Sequence, residues 1–324
     1  MKSKIMAVWM VAVLVFSSAF VMFGNGTKAE DVGNVTWAIH TDGTLVNGTF
    51  GGGDGSIGDP YVIEDVYDLQ AISSGVSKHY ILGNDIDASA TAGWNGGEGF
   101  IPINSFSGSL NGAYHCIDGL TIATSTDDAG LFSSMVSSSK VGNLTLTNCQ
   151  ISSIMFGGYA GGLAAVSLGS HITNCGVSGS VSGNMRAGGF MAFADADTAI
   201  TNCYSSAQVT CPGNPAGGFV ADTWGTMDRC YSTGAVTGDR VGGFVSTNAG
   251  TIANCYSTCS ASGTFEVGGF VGMNDGSFIG TINNCYSTGL VTGIGTGGFA
   301  GVIAGGSITN CFWDTQTSGQ ATSP

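Results

Sequence analysis

The chain has 324 residues, 43% of them hydrophobic, which is enough to bury a core and excludes disorder through low hydrophobicity. Its 22 acidic against 8 basic residues give a formal charge of −14, which argues against a nucleic-acid or anionic-membrane partner. Fifty-five glycines and only 5 prolines, with no triplet period, describe a chain that turns often and packs backbones closely without being collagen-like.

At the N-terminus, Lys2 and Lys4 precede an uncharged run over residues 5–23, and Thr27 and Ala29 supply a small-residue cleavage site. That pattern is an export signal over residues 1–29, and its run is long enough to stay as an anchor if uncleaved. The uncleaved segment is the one membrane contact the sequence offers. Residues 30–58 form an N-terminal segment or linker, with GGGDGSIGD at 51–59 read as a loop. Residues 59–128 are a cap and entry coils: after a strand ending at Ile63, Val66, Leu69, Ala71 and Ile72 are spaced for a short helix that covers the first coil.

The main signal is a repeat over residues 129–311. Asn-Cys recurs at Cys149, Cys175, Cys203, Cys255, Cys285 and Cys311, with Arg229-Cys230 as a variant, at intervals of 26, 28, 27, 25, 30 and 26 residues. A Gly-Gly pair stands before each of the last six, as in Gly242-Gly243 and Gly268-Gly269. Short apolar segments alternate with Gly, Asn, Ser and Thr clusters, and no helical period persists. The expected fold is all-β: a right-handed parallel β-helix, or solenoid, with about 26 residues per coil, three strands per coil and an N-terminal cap. Residues 312–324 are a tail without a helix long enough to close the last coil. Either the tail crosses that open edge or another chain does, through self-association.

The repeat at residues 268–293, GGFVGMNDGSFIGTINNCYSTGLVTG, resembles that of the GLUG-motif family, and the resemblance covers about residues 130–311. The segments around Asp59-Pro60-Tyr61, Asn84-Asp85-Ile86-Asp87 and Phe106-Ser107-Gly108, and the ending Phe312-Trp313-Asp314, are similar to the flanks of the same proteins. This resemblance implies a large secreted or cell-surface β-helix protein, adhesin-like in some members, and implies architecture and address better than activity.

Several side chains recur with the coil. The ladder cysteines are read as inward, mostly free thiols, small hydrophobes rather than disulfides or metal ligands, with Cys116, Cys211 and Cys259 off the ladder and one of them open to being reactive. Tyr204, Tyr231, Tyr256 and Tyr286 follow ladder cysteines and so point outward, as a platform for a glycan or a partner protein, or as stacked rings that stabilise the sheet. Asp195, Asp197, Asp222, Trp224, Asn248, Asn274 and Asp275 fall at one corner. Stacking would line them along an edge, with carboxylates on adjacent coils about 5 Å apart, as in retaining glycosidases or a calcium site. The plainer reading is that Asp and Asn simply form turns.

No catalytic residue, resident metal or cofactor is assigned, calcium at the acidic corner being the one candidate ion. The nearest approach to a catalytic cluster is Arg229 beside Asp228, within reach of Asp222. Three functions stand, of which the first two are a non-catalytic secreted or surface module for adhesion, glycan or protein binding, or structure, and a polysaccharide-degrading β-helix lyase or hydrolase. A subunit or fragment of a larger surface assembly is the third.

Overall fold

The computed structural model describes residues 35–39, 45–125, 128–154, 156–276 and 280–324. The export signal at residues 1–29 lies outside the described residues, and no helix among those described is long and apolar enough to cross a membrane.

Alternation builds the solenoid. In Thr251–Ala253 and Ser260–Ser262 the central residue is buried and its neighbours face out, because successive strand side chains take opposite faces. Val141, Ile172, Ile200, Met227, Ile252, Ile282 and Ile308 stack in parallel register, so one turn takes 25 to 31 residues, about 28 on average. The result is the expected parallel β-helix, carried by ten-, fourteen-, six- and seven-stranded sheets.

Each turn is more finely divided than three strands. The turn beginning at Val241 runs through Val241–Gly242, Val245–Asn248, Thr251–Ala253, Tyr256–Ser257 and Ser260–Ser262. Left-handed residues cut it up: Asn254 sits at φ 54°, between two of these strands. Asparagine takes that conformation more cheaply than other side chains, which is why it precedes six of the seven ladder cysteines, with Arg229 at φ 53° in the same place before Cys230.

The Gly-Gly pairs have a steric cause. A Cβ on Gly242 would lie 1.7 Å from the Val245 carbonyl oxygen, and one on Gly243 would lie 2.1 Å from that of Gly269. Only a chain without side chains can fold back so tightly. The phenylalanine that follows then enters the core: Phe190, Phe219, Phe244, Phe270 and Phe299 stack at 4.7 to 4.9 Å between ring centroids, all at most 3% exposed. Each buried ring contributes about 2–3 kcal/mol before its ordering cost.

The cysteine column is inward, as the alternation requires. Backbone N–H groups of Cys175, Cys203, Cys230 and Cys255 donate to the Sγ of the next turn's cysteine at 3.3 to 3.5 Å. Each thiol in turn donates to the carbonyl two residues before it, as Cys255 does to Ala253 at 3.0 Å. All ten cysteines are thiols. The off-ladder thiols are shifted away from the thiolate form. Burial pushes Cys211 up to about 12 and Cys259 to about 11, and burial together with Asp85 raises Cys116.

Both ends carry caps. A hairpin of Val35–Ile39 and Leu45–Thr49 precedes helix α1, Val66–Ala71. Asp65 caps α1 by accepting from the N–H groups of Tyr67 and Asp68 at 2.9 Å. Val66, Leu69 and Ile72 enter the same core as Ile63 and Leu82 of the first coils. Buried Gln70 fixes the next segment by donating to the Ile101 carbonyl at 3.0 Å and accepting its N–H at 2.9 Å. At the other end, helix α2, Thr315–Ser318, is only four residues long, but the tail returns after it. Gly298 N–H donates to Thr322, Gln320 Nε2 to the Val291 carbonyl at 2.9 Å, and Ala300 N–H to Ser323 Oγ at 2.9 Å. The tail therefore covers part of the last coil.

Candidate functional site

The outer surface shows which recurring side chains are available. Tyr204, Tyr231, Tyr256 and Tyr286 do point outward, and their rings stack with centroids 5.2, 4.9 and 5.0 Å apart and planes within 7° of parallel. The column starts where Gly176 leaves room for the Tyr204 ring, and Phe312 follows Tyr286 in register. Ring faces are thus covered by neighbouring rings. What the column offers a ligand is a row of phenol edges and hydroxyls, with an open aromatic end at Tyr286 and Phe312, 44% and 69% exposed. Burial and the adjoining tyrosines raise the phenols of Tyr231 and Tyr256, so they stay neutral donors at ordinary pH.

Beside it runs an exposed asparagine column. Asn143 donates to Asn111, Asn174 to Asn143 and Asn202 to Asn174 at 3.0 to 3.2 Å. Arg229 interrupts the row, donating to Asn202 Oδ1 at 2.8 Å but offering no acceptor upward. Asp228 supplies one instead, accepting from Asn254 Nδ2 at 2.7 Å while pairing with Arg229 at 2.6 Å. The amide row then resumes through Asn284 and Asn310. Arg229 is therefore a ladder residue, and its expected approach to Asp222 is not made.

The acidic corner does not form an edge. Asn248 and Asn274 are fully buried inward residues, with Asn248 donating to Asn274 at 2.9 Å and Asn274 to the Gly280 carbonyl at 3.0 Å. Asp195 accepts from Gly169 N–H of the preceding turn at 2.9 Å and from Thr198 Oγ1 of its own at 2.8 Å, while Asp197 is exposed. Asp222 stacks between Phe193 and Thr247, so no second carboxylate stands on the adjacent turn. Trp224 is 44% exposed and packs edge-on against Phe193 at 5.1 Å. Asp275 is half-buried and registers with Ala304. Among the described residues no three His, Cys, Asp or Glu side chains converge as metal ligands. Asp222 and Asp275 have no carboxylate in register on an adjacent turn, and the corner positions are spread over several columns, some facing in and some out.

One cluster escaped the sequence. Arg186 Nε donates to Asp222 Oδ2 on the following turn, and Arg186 Nη1 donates to Tyr159 Oη at 2.6 Å on the preceding one. Asp222 Oδ1 is buried with no partner among the described residues. Arg240 pairs with Glu266 in the same way and lies over the Phe265 ring at 5.5 Å. Tyr159, Arg186, Arg240 and Glu266 share one outer column, a relation that appears only once the Gly-Gly pairs are used to align the turns.

Comparison with known proteins places this architecture. No protein-family model matches the chain. Halomucin of Haloquadratum walsbyi is 37% identical over 183 residues, covering 51% of this chain, which spans only 2% of halomucin's length. A candidate immunoglobulin A1 protease of Bacteroides ovatus, known from its crystal structure, superposes with a TM-score of 0.66 at 21% identity, over 82% of this chain and 88% of that one. An IgA1 protease gives a TM-score of 0.56 at 15% identity, over 78% of this chain and 20% of that one. At such identities the two structures share the fold.

Proposed function

We propose that the chain is a non-catalytic β-solenoid of the GLUG-repeat kind, secreted or displayed at the cell surface, that binds a glycan or protein through repeated weak contacts. The observation that carries this reading is the tyrosine column, where the same hydroxyl recurs about every 5 Å with asparagine amides alongside. Repetition of one group suits multivalent attachment, in which weak sites add through effective concentration. The likeness to halomucin supports a surface address, and the arginines tied into Arg186–Asp222, Arg229–Asp228 and Arg240–Glu266 pairs act as structural links between turns or neighbours.

The test replaces all four tyrosines by phenylalanine, which keeps the stack and removes the hydroxyls. Retention on a glycan and host-protein array should fall at least about fivefold while the melting temperature stays put. Protease shaving of intact cells should also release the chain. Cleavage of a polysaccharide or protein by the purified chain, lost in Asp222→Asn, would replace this reading with an enzymatic one.

A further inference from the structure

The repeat array over residues 129–311 holds four cationic side chains. Arg186, Arg229 and Arg240 are each paired with a carboxylate, whereas Lys140 is exposed and makes no ion pair among the described residues. Lys140 stands in an outer column of the ten-stranded sheet, where His79, Ser109, Lys140 and His171 follow one another in register, about 4.8 Å apart. His79 Nδ1 and Ser109 Oγ lie 2.7 Å apart, which ties the first two together. His171, the array's one histidine, is exposed beside Lys140 and has no hydrogen-bond partner for its ring among the described residues.

Two residues further along these strands, Asn111, Gly142 and Thr173 form the next outer column. Gly142 has no side chain, so a depression of about 230 Å³ opens to solvent between Asn111 and Thr173, with Ser109, Lys140 and His171 along its other side. None of the residues lining it is acidic, in a chain whose net charge is −14. The asparagine column also begins here. Asn111 Oδ1 accepts from Asn143 Nδ2 at 3.1 Å and from Ala113 N–H at 3.0 Å. Its register partner on the preceding turn is Ile81, which offers no side-chain acceptor, so the Asn111 amide N–H groups have no partner among the described residues.

We propose that this depression binds a sugar carrying one carboxylate, a hexuronate at the end of an acidic glycan. Lys140 supplies the charge and His171 an imidazole N–H for the carboxylate, while the Asn111 amide and the Ser109 and Thr173 hydroxyls suit the ring hydroxyls. One unpaired cation matches one carboxylate. A nucleic acid or densely sulfated glycan brings many charges to a surface that is acidic overall, and is repelled from it. The site lies on the ten-stranded sheet, apart from the tyrosines of the fourteen-stranded one. It therefore adds one unlike position to the repeated contacts of the tyrosine column and does not depend on them.

Proton NMR of the purified full chain tests this with glucuronate, glucose and acetate as probes, reading the His171 imidazole resonance assigned through His171→Gln. Glucuronate should shift it saturably with a Kd of roughly 1–5 mM, and glucose and acetate should bind at least about fivefold more weakly. Lys140→Met keeps the aliphatic stem and should weaken glucuronate at least about tenfold, whereas Lys140→Arg should stay within about threefold of the parent, both with circular dichroism unchanged. The variant with all four tyrosines replaced by phenylalanine should bind glucuronate as the parent does, so the two sites fail or succeed separately. No shift at His171, glucuronate bound no more tightly than acetate or glucose, or undiminished binding in Lys140→Met would each overturn the proposal.

Discussion

Arg186 of one turn donates to Asp222 of the next, and the pair is shielded enough that Asp222 keeps only 14% of its side-chain surface. A carboxylate in that position links one turn to the next.

Removing one partner should cost more than losing the pair. Asp222→Ala leaves a half-buried guanidinium with only Tyr159 for company, an expected loss of about 2 kcal/mol after allowing for partial solvation. Arg186→Met with Asp222→Leu should recover most of it. Urea midpoints of the two variants measure the difference, and equal midpoints would show that leaving Arg186 unpaired costs nothing beyond losing the pair.

The Gly-Gly corner predicts a steep contrast between glycines. Gly243→Ala puts a methyl group 2.1 Å from the Gly269 carbonyl oxygen and 2.6 Å from Ser257 Oγ, so it should cost upward of about 3 kcal/mol or abolish soluble expression. Gly58→Ala, with nothing within 4 Å and an ordinary φ, should fall within about 0.5 kcal/mol of the parent. Parallel denaturant titrations decide it.

These two regions mark what a reader of the sequence can and cannot see. The Gly-Gly and Asn-Cys phases reveal the coil, because backbone sterics and the two-residue alternation act locally and leave residue-type signatures. The inward cysteines and outward tyrosines follow from alternation alone. The corner residues do not, because Asn248, Asp222 and Asp195 sit within a few sequence positions of one another's equivalents yet in three different columns. A shift of one residue reverses the face a side chain takes. Arg186 and Asp222 lie 36 residues apart, more than one turn, so their pairing depends on the pitch and the register together.

Thiol labelling should separate the cysteine column from ordinary surface thiols. In denaturant without reductant ten thiols should react, all being unpaired in the fold. In the native protein at pH 8 at most Cys116 and Cys311, the two partly exposed ones, should label within minutes, since burial pushes Cys149 and Cys211 up to about 12. Fewer than six reactive thiols in denaturant would mean that disulfides form along the column.

Asp68 makes the N-terminal cap sensitive to pH. Its carboxyl is 2% exposed, and burial raises it from 3.8 to about 6, against the opposing N–H of Glu64. Below about pH 3.8 the group is protonated in both folded and unfolded chains. Between 3.8 and 6 the folded chain holds a proton that the unfolded one has released, so stability falls as pH rises across that window. Above it the deficit is constant, on the order of 3 kcal/mol. Asp68→Asn should therefore raise the melting temperature at pH 8 and lose that advantage at pH 3.5.

The stacking of turns has a mechanical consequence. Every strand lies across the solenoid axis, so tension applied between the two ends peels hydrogen-bonded strands apart one by one instead of shearing many at once. Each turn that yields gives up one strand spacing of about 4.8 Å and releases about 28 residues, roughly 95 Å of extended chain. A solenoid held at one end and loaded at the other thus acts as a force limiter, lengthening in steps under load while the remaining turns stay folded.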